Sequence, residues 1–456
     1  MFKSVKRIHF VGIGGIGMSG IAEILINRGF EVSGSDMSKS QNTDYLANIG
    51  AKIMIGHKKE NIVDAQVVVY SSAVAPQENP ETMHALELGI PIIRRAEMLA
   101  EVARLNYCLA IAGTHGKTTT TSMLALILIK AGHDPTVIVG GRLADFGGTN
   151  ARLGHGNWTV VEADEYDRSF LQLLPTISVI NNIEPEHLDI YSDFNDIKNT
   201  FSEFANKVPF YGLVSVGIDD EGCRDIIQRI NKQVVTFGIT DIADYTANEI
   251  KSDATTIEAM IFEYGKPLGL LKLNIPGLHN LKNALAAISV ARKMGIDFEV
   301  IQAALNNFKG VYRRFDIKGE HKGVLVIDDY AHHPTEIKAA LSAARRGWSD
   351  RRIVAAFQPH TFTRTRAMWK DFAESFDDAD VVIISEIYPA REKPIYGITA
   401  KMIYDEMLKN SDKEIYYVPF ISDISAFLND FLQPSDIFIT LGAGNICDCA
   451  DSFVTS

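Results

Sequence analysis

The sequence predicts an α/β protein of three domains, on three observations. The chain has 456 residues, and a domain typically holds roughly 100 to 200. Short β-branched runs alternate with helical stretches, the pattern of βαβ units on a parallel sheet, and the alternation starts afresh twice. Two glycine loops each lie between a strand-like run and a helical one. The boundaries expected from these restarts are 1–106, 107–311 and 312–456.

Composition narrows the class. Hydrophobic residues make up 46% and charged residues 22%, as in globular chains. A formal charge of -12, from 45 basic and 57 acidic residues, argues against broad binding of nucleic acid or anionic lipid. No apolar stretch reaches the roughly 18 to 20 residues of a membrane span, so no membrane insertion is expected. The first strand-like run, Arg7-Ile8-His9-Phe10-Val11, follows no apolar leader, and a cytoplasmic location is expected. Of Cys108, Cys223, Cys447 and Cys449, the last two are close, but no second Cys or His pair stands at zinc-site spacing. Reduced structural thiols are expected.

In chain order, the pattern predicts a strand over 7–11, a helix over 18–28, and strands over 30–33 and 67–70. A second series opens with a strand over 108–112 and a helix over 117–131. Strands over 158–162 and 177–180 follow, each ending in polar residues, where open α/β sheets place their ligands. Between 245 and 275 the period shifts to alternation around Glu263-Tyr264-Gly265-Lys266-Pro267, which predicts antiparallel additions and hence a mixed central sheet. Helices over 280–294 and 298–308 flank Gly295-Ile296-Asp297, a helix stop followed by a capping residue. The third series has strands over 324–328, 352–357, 381–385 and 437–440.

The loop Gly113-Thr114-His115-Gly116-Lys117-Thr118-Thr119 leads from a strand into a helix. Backbone N–H groups and the helix N-terminus there can surround phosphate oxygens, Lys117 adds a point charge, and Thr118 offers a hydroxyl to Mg2+. Lys117 is read as an exposed loop side chain. The Walker pattern wants a glycine six residues before the lysine, and Ile111 stands there, so the loop is a shortened variant. Gly12-Ile13-Gly14-Gly15-Ile16-Gly17 matches the dinucleotide fingerprint, with Asp36 about 20 residues on. It marks a helix N-terminus open to a diphosphate, which a nicotinamide cofactor or a UDP-linked substrate supplies equally well.

Val160-Val161-Glu162-Ala163-Asp164-Glu165 delivers carboxylates to a strand end, with Glu162 the best magnesium ligand beside Thr118. In Asn181-Asn182-Ile183-Glu184-Pro185-Glu186-His187-Leu188-Asp189, His187 is a candidate ligand to a second divalent ion. Gly277-Leu278-His279-Asn280-Leu281-Lys282-Asn283 opens a helix with amides suited to an adenine edge or to capping. Further on, Tyr312-Arg313-Arg314-Phe315 offers guanidinium groups to phosphate. Loops 328–334 and 358–366, which hold Asp329, Tyr330, His332 and Arg364, end successive strands and suit a carboxylate substrate.

Taken together, these segments closely resemble the Mur ligase family, above all in residues 12–20, 113–121, 162–165, 184–189 and 328–334, and the likeness spans nearly the whole chain. The resemblance implies a Rossmann-like N-terminal domain holding the UDP part of the substrate, a P-loop ATPase-like central domain, and a Rossmann-like C-terminal domain bringing the amino acid. It implies an ATP-dependent ligase, cytoplasmic, monomeric or weakly dimeric, that joins L-alanine to the lactyl carboxylate of UDP-N-acetylmuramate through an acyl phosphate. Lys117 would meet the γ-phosphate, Thr118 with Glu162 one Mg2+, and His187 a second. Asn280 would meet adenine, Arg314 a phosphate, and Asp329 the neighbourhood of the nucleotide. Tyr330, His332 and Arg364 would surround the alanine, and Gly14, Ser19, Asp36, Ser71 and Arg94 the UDP substrate. Sister ligases carry a carbamylated lysine at the second metal; Lys198 and Glu203 both lie in that stretch. His115 and the 12–20 motif favour an alanine-adding member over one that attaches an intact tripeptide. Outside the family, the fingerprint at 12–17 would also suit a nicotinamide dehydrogenase or a silent nucleotide-sugar sensor.

Overall fold

A computed structural model describes residues 5–62, 64–141, 143, 148–187, 190–240, 242–390 and 392–455. Leu188 and Asp189 of the 184–189 motif therefore lie outside the described residues. The first sheet contains β1 (Arg7–Val11), β2 (Glu31–Asp36), β3 (Lys52–Ile55), β4 (Val67–Tyr70) and β5 (Ile92–Arg94), in the order β3-β2-β1-β4-β5 with every pair parallel. This is the doubly wound arrangement, and its strand order reverses at β1, directly before the Gly12 loop. β2 runs three residues past the expected 30–33, because Gly34 leaves room for Ile13: a Cβ at position 34 would lie 2.5 Å from Ile13 Cδ1. The turn-like Gly34-Ser35-Asp36 is thus held as strand between β1 and β3.

The second sheet has ten strands: β6 (Tyr107–Ala112), β7 (Thr136–Ile138), β8 (Ala151–Arg152), β9 (Trp158–Glu162), β10 (Ile177–Ile180), β11 (Leu213–Gly217), β12 (Val234–Phe237), β13 (Tyr245–Ser252), β14 (Ile257–Glu263) and β15 (Lys266–Leu273). Its order is β15-β14-β13-β12-β11-β10-β6-β9-β7-β8. β6 is central, parallel to β10 on one side and β9 on the other. β14 and β15 are joined by Tyr264-Gly265, both at positive φ (49° and 74°). That is the two-residue turn whose twist suits an antiparallel hairpin, so the expected mixed sheet is present.

The third sheet contains β16 (Asp316–His321), β17 (Val324–Asp329), β18 (Ile353–Phe357), β19 (Val381–Ile384), β20 (Glu414–Tyr417) and β21 (Ile437–Leu441), ordered β16-β17-β21-β18-β19-β20. β16 runs antiparallel to β17, and the other paired strands of this sheet run parallel. The chain divides into two compact units: 1–248 with 260–271 and 282–308, and 249–259 with 272–281 and 309–456. In the first unit one hydrophobic cluster runs from Ile8 and Phe10 through Met98 and Ala110 to Phe201 and Ile226. All four cysteines are unpaired thiols. No described helix is long and apolar enough to cross a membrane.

The helix Ile16–Asn27 buries every residue from Met18 to Leu25, because it packs on the first sheet and also against β8. Glu23 is carried inside with them, its carboxylate accepting from the Tyr45 hydroxyl at 3.0 Å. Burial lifts the Glu23 pKa to about 7, with the Tyr45 bond pulling the other way. A folded pKa above the unfolded one means stability that is present in acid and lost as pH rises through 7. We therefore expect Glu23→Gln to match the parent near pH 4, below the ordinary carboxyl value of 4.5, and to exceed it by on the order of 1 to 3 kcal/mol at pH 8, measured by chemical unfolding. A difference independent of pH would contradict this.

Candidate active site

The central loop is built against the end of the neighbouring strand. β6 and β10 are in register with Ala112 opposite Ile180, so Gly113 and Asn181 emerge side by side. The backbone N–H groups of Thr114 and His115 donate to the carbonyl and the side-chain oxygen of Asn182, at 3.0 and 2.7 Å. Asn181 Nδ2 donates to the His115 carbonyl at 3.2 Å and to Thr120 Oγ1 at 3.1 Å. Gly116 has φ +79°, and a Cβ there would lie 2.2 Å from Asn283 Oδ1, so conformation and space both demand glycine. The helix Lys117–Lys130 begins immediately after. Its first-turn N–H groups have no acceptor within the helix, an arrangement that suits a phosphate.

Lys117 departs from the expectation of an exposed side chain. It is 17% exposed, and its Nζ lies 2.9 and 2.8 Å from the two oxygens of Glu165, itself 4% exposed. It also donates to the carbonyls of Gly113 and Thr114 at 2.6 and 3.1 Å. Burial disfavours the ammonium, but the carboxylates of Glu165 and Asp164 outweigh it and hold the Lys117 pKa above the ordinary lysine value. The reason is topological: β9 flanks β6, so the chain leaving β9 passes over the loop. Glu162 ends β9 and accepts from the Gly140 N–H at 2.8 Å.

Glu165, Glu186 and His187 form a cluster whose ligand atoms all lie within 4.8 Å of one another. His187 Nε2 is 3.6 Å from Glu165 and 3.8 Å from Glu186. Its backbone is left-handed (φ 56°), and Tyr166 packs edge-on against the ring at 5.1 Å. Converging carboxylates and an imidazole suit a divalent cation. Lys198 instead pairs with Asp225 at 2.9 Å, and Glu203 with Lys207 at 3.8 Å.

In the first sheet the glycine loop is held by β2. The Ser35 carbonyl accepts from Gly12 and Ile13, at 2.8 and 3.0 Å, and Asp36 Oδ2 accepts from Gly14 at 2.8 Å. Ser71 lies against Gly12, where a Cβ would meet its Oγ at 3.0 Å. Ser19 is buried, with its hydroxyl donating to Ile16. Arg94 points to Asp167 (3.2 Å) with 59% of its side chain exposed. Its neighbour Arg95 is the one beside the loop: a Cβ on Gly17 would lie 2.9 Å from its Nη1, and its Nη2 is 3.4 Å from Asp164.

The second unit gathers a separate set. The Tyr330 ring faces the guanidinium groups of Arg313 and Arg314, at 5.0 and 5.2 Å. Arg314 and His332 share Glu336, at 3.4 and 3.2 Å. His332 and His360 have ring centres 5.8 Å apart, and Arg364 Nη1 lies 3.1 Å from His360 Nδ1. Because a guanidinium only donates, that nitrogen accepts. Asp329 accepts from the N–H groups of Phe315 and Ala331, both at 2.7 Å. Burial lifts its pKa to about 7 against the pull of Arg314. Asn280 donates to the Pro276 carbonyl at 2.7 Å.

A glycine loop with lysine and threonine at the centre of a parallel sheet, beside a carboxylate–imidazole cluster, defines an enzyme class that handles nucleoside triphosphates. The chain belongs to the Mur ligase family: residues 7–107 match its "catalytic domain" model, 111–291 its middle domain and 313–444 its glutamate ligase domain. The UDP-N-acetylmuramate–L-alanine ligase of Geotalea uraniireducens is 50% identical over 454 residues, covering 100% of this chain and 98% of that one. The solved UDP-N-acetylmuramate–alanine ligase of Thermotoga maritima is 32% identical, with a TM-score of 0.85 over 98% of both chains. A murein peptide ligase from Psychrobacter arcticus is 25% identical, with a TM-score of 0.74 over 99% of this chain and 98% of its own.

Sequence reading assigned no role to Glu165, Asn182, Asn283 or Arg95. The first three stood inside motifs already singled out, and their polar character at strand and helix ends was the available signal. Removing the lysine of the buried pair leaves Glu165 uncompensated. Lys117→Ala is therefore expected to lower stability by about 1–3 kcal/mol, and adding Glu165→Gln to recover most of it, in denaturant unfolding. An unchanged midpoint for the single variant would refute the pair's contribution.

Proposed function

We infer that this protein is an ATP-dependent, ADP-forming ligase that joins L-alanine to the lactyl carboxylate of UDP-N-acetylmuramate in peptidoglycan synthesis. The observation that carries the reading is the placement of Lys117 and Thr118 at one sheet edge with Glu165, Glu186 and His187. The full-length relatives bearing that activity in their names support the substrate assignment. Residues 1–106 hold the UDP moiety around Gly14, Asp36, Ser71 and Arg94. Residues 107–311 hold ATP, and 312–456 present alanine to the activated carboxylate.

In the first step a lactyl oxygen bonds to the γ-phosphorus as the bond to the β–γ bridging oxygen breaks, giving an acyl phosphate and ADP. The alanine amine then bonds to the acyl carbon, phosphate leaves, and the amine proton passes to a base. Carboxylate and triphosphate repel, so positive charge must be preorganised around them. Lys117 supplies it by exchanging Glu165 for phosphate, which leaves Glu165 beside Glu186 and His187. Thr118 with Glu162, and His187 with those two carboxylates, would hold Mg2+, which neutralises phosphate charge when bound. Arg314 holds a phosphate oxygen, Asn280 and Asp329 border the nucleotide, and Tyr330, His332 and Arg364 grip the alanine carboxylate.

Lys117→Ala is expected to reduce ADP formation at least about 10^2- to 10^3-fold while the folded chain keeps its affinity for UDP-N-acetylmuramate. Near-parental turnover in that variant would remove Lys117 from the site. Attachment of an intact tripeptide is the second reading, favoured by the likeness to solved ligases of murein peptides. With UDP-N-acetylmuramate present, L-alanine should stimulate phosphate release and the tripeptide should not; the reverse would select the recycling activity.

A further inference from the structure

We propose that Glu81, which has no place in the reaction described above, is the positioning residue that fixes the glycine loop of the N-terminal domain for its diphosphate. The inference rests on the UDP-substrate reading of that loop. Glu81 is the second residue of the helix Pro80–Glu87, whose N-terminus is capped by Asn79. Its side chain is 0% exposed. A fully buried carboxylate is costly unless every lone pair is used, and Glu81 uses them on the segments behind the loop. Oε2 accepts from Ser35 Oγ at 2.5 Å, and Oε1 accepts from Asn61 Nδ2 and the Lys58 N–H at 2.5 and 3.2 Å.

Two histidines complete the surroundings. His9 Nε2, from β1, and His57 Nδ1, from the segment after β3, each lie 3.5 Å from Oε2. His57 Nδ1 is also 2.9 Å from Ser35 Oγ. A hydroxyl has one proton. With that proton donated toward Glu81, Ser35 accepts from His57, so serine, histidine and glutamate form a fixed hydrogen-bond chain rather than an activated nucleophile. Ser35 Oγ is buried and committed.

The consequence reaches the loop through the Ser35 peptide. Gly12 and Ile13 donate to the Ser35 carbonyl, and Gly14 donates to the adjacent Asp36 side chain. Three consecutive amides of the fingerprint are therefore set by two residues of β2. Glu81 anchors the first of these two from the other side. Losing the anchor lets the Ser35 peptide tilt, and with it the loop backbone that aims the first-turn N–H groups of the following helix at the diphosphate. The ATP loop, on a different sheet, is not reached by this chain of bonds.

The test compares Ser35→Ala and Glu81→Gln with the parent, full-length, in phosphate-release assays and in calorimetric titration with UDP alone. Ser35→Ala removes the link but leaves Glu81 its other donors. Glu81→Gln places an NH2 among groups that now donate. Each is expected to raise KM for UDP-N-acetylmuramate about five- to tenfold, with kcat and KM for ATP changed less than about twofold, and to weaken UDP binding in parallel. A merely structural role would instead lower the unfolding midpoint and kcat and leave KM alone, and that pattern overturns the proposal. If the parent shows no alanine-dependent phosphate release, the functional reading fails, while weakened UDP binding in the variants still upholds the role of Glu81. Equal UDP affinity in parent and variants overturns it, whatever the activity.

Discussion

The parallel register of β6 and β10 is the constraint on which the central site depends. With Ala112 opposite Ile180, both strands stop at one level, and the chain must turn there twice in adjacent positions. One turn becomes the glycine loop and the other becomes Asn181-Asn182, which occupies the loop's inward amides and leaves the outward ones at the helix start. Two residues further on, the second turn carries Glu184, Glu186 and His187 past the same edge. No side chain has to travel far, because the sheet has already brought the backbones together.

The same economy governs charge. Glu165 and Lys117 arrive from β9 and from the helix after β6, and each is tolerable inside only because of the other. Asp329 solves the problem differently, by taking two backbone N–H groups, yet burial still favours its proton. In the N-terminal domain Glu81 is satisfied by a serine, an asparagine and a peptide group. Three buried carboxylates thus have three kinds of partner, and only the pair with lysine can be dissolved by an incoming anion.

Much of the architecture was legible because buried parallel strands read as continuous apolar runs: Arg7–Val11, Trp158–Glu162 and Ile177–Ile180 have the limits expected of them. β2 was read short because Gly34-Ser35-Asp36 carries turn residues, and only the neighbouring strands and Ile13 make it extended. The candidate loops were visible for the same reason that they work, as glycine between a strand and a helix. Their partners were not. Lys117 and Glu165 are joined by the order of strands in the sheet, which no local pattern encodes. Arg94 ends β5 and Arg95 opens the helix Arg95–Ala103, so the adjacent guanidinium groups reach different carboxylates, Asp167 and Asp164.

Gly17 shows how such hidden neighbours alter the meaning of a motif. In a dinucleotide fingerprint its smallness is ordinarily credited to packing between helix and strand. Here the space above it belongs to the guanidinium of Arg95, which also reaches Asp164 in the segment leading to the carboxylate cluster. Position 17 is consequently a seat for that guanidinium as much as a packing point within the helix Ile16–Asn27. Because the atom a side chain at position 17 would meet is the far end of a flexible arginine, a larger residue there would be accommodated by a swing of Arg95, at the cost of its reach to Asp164.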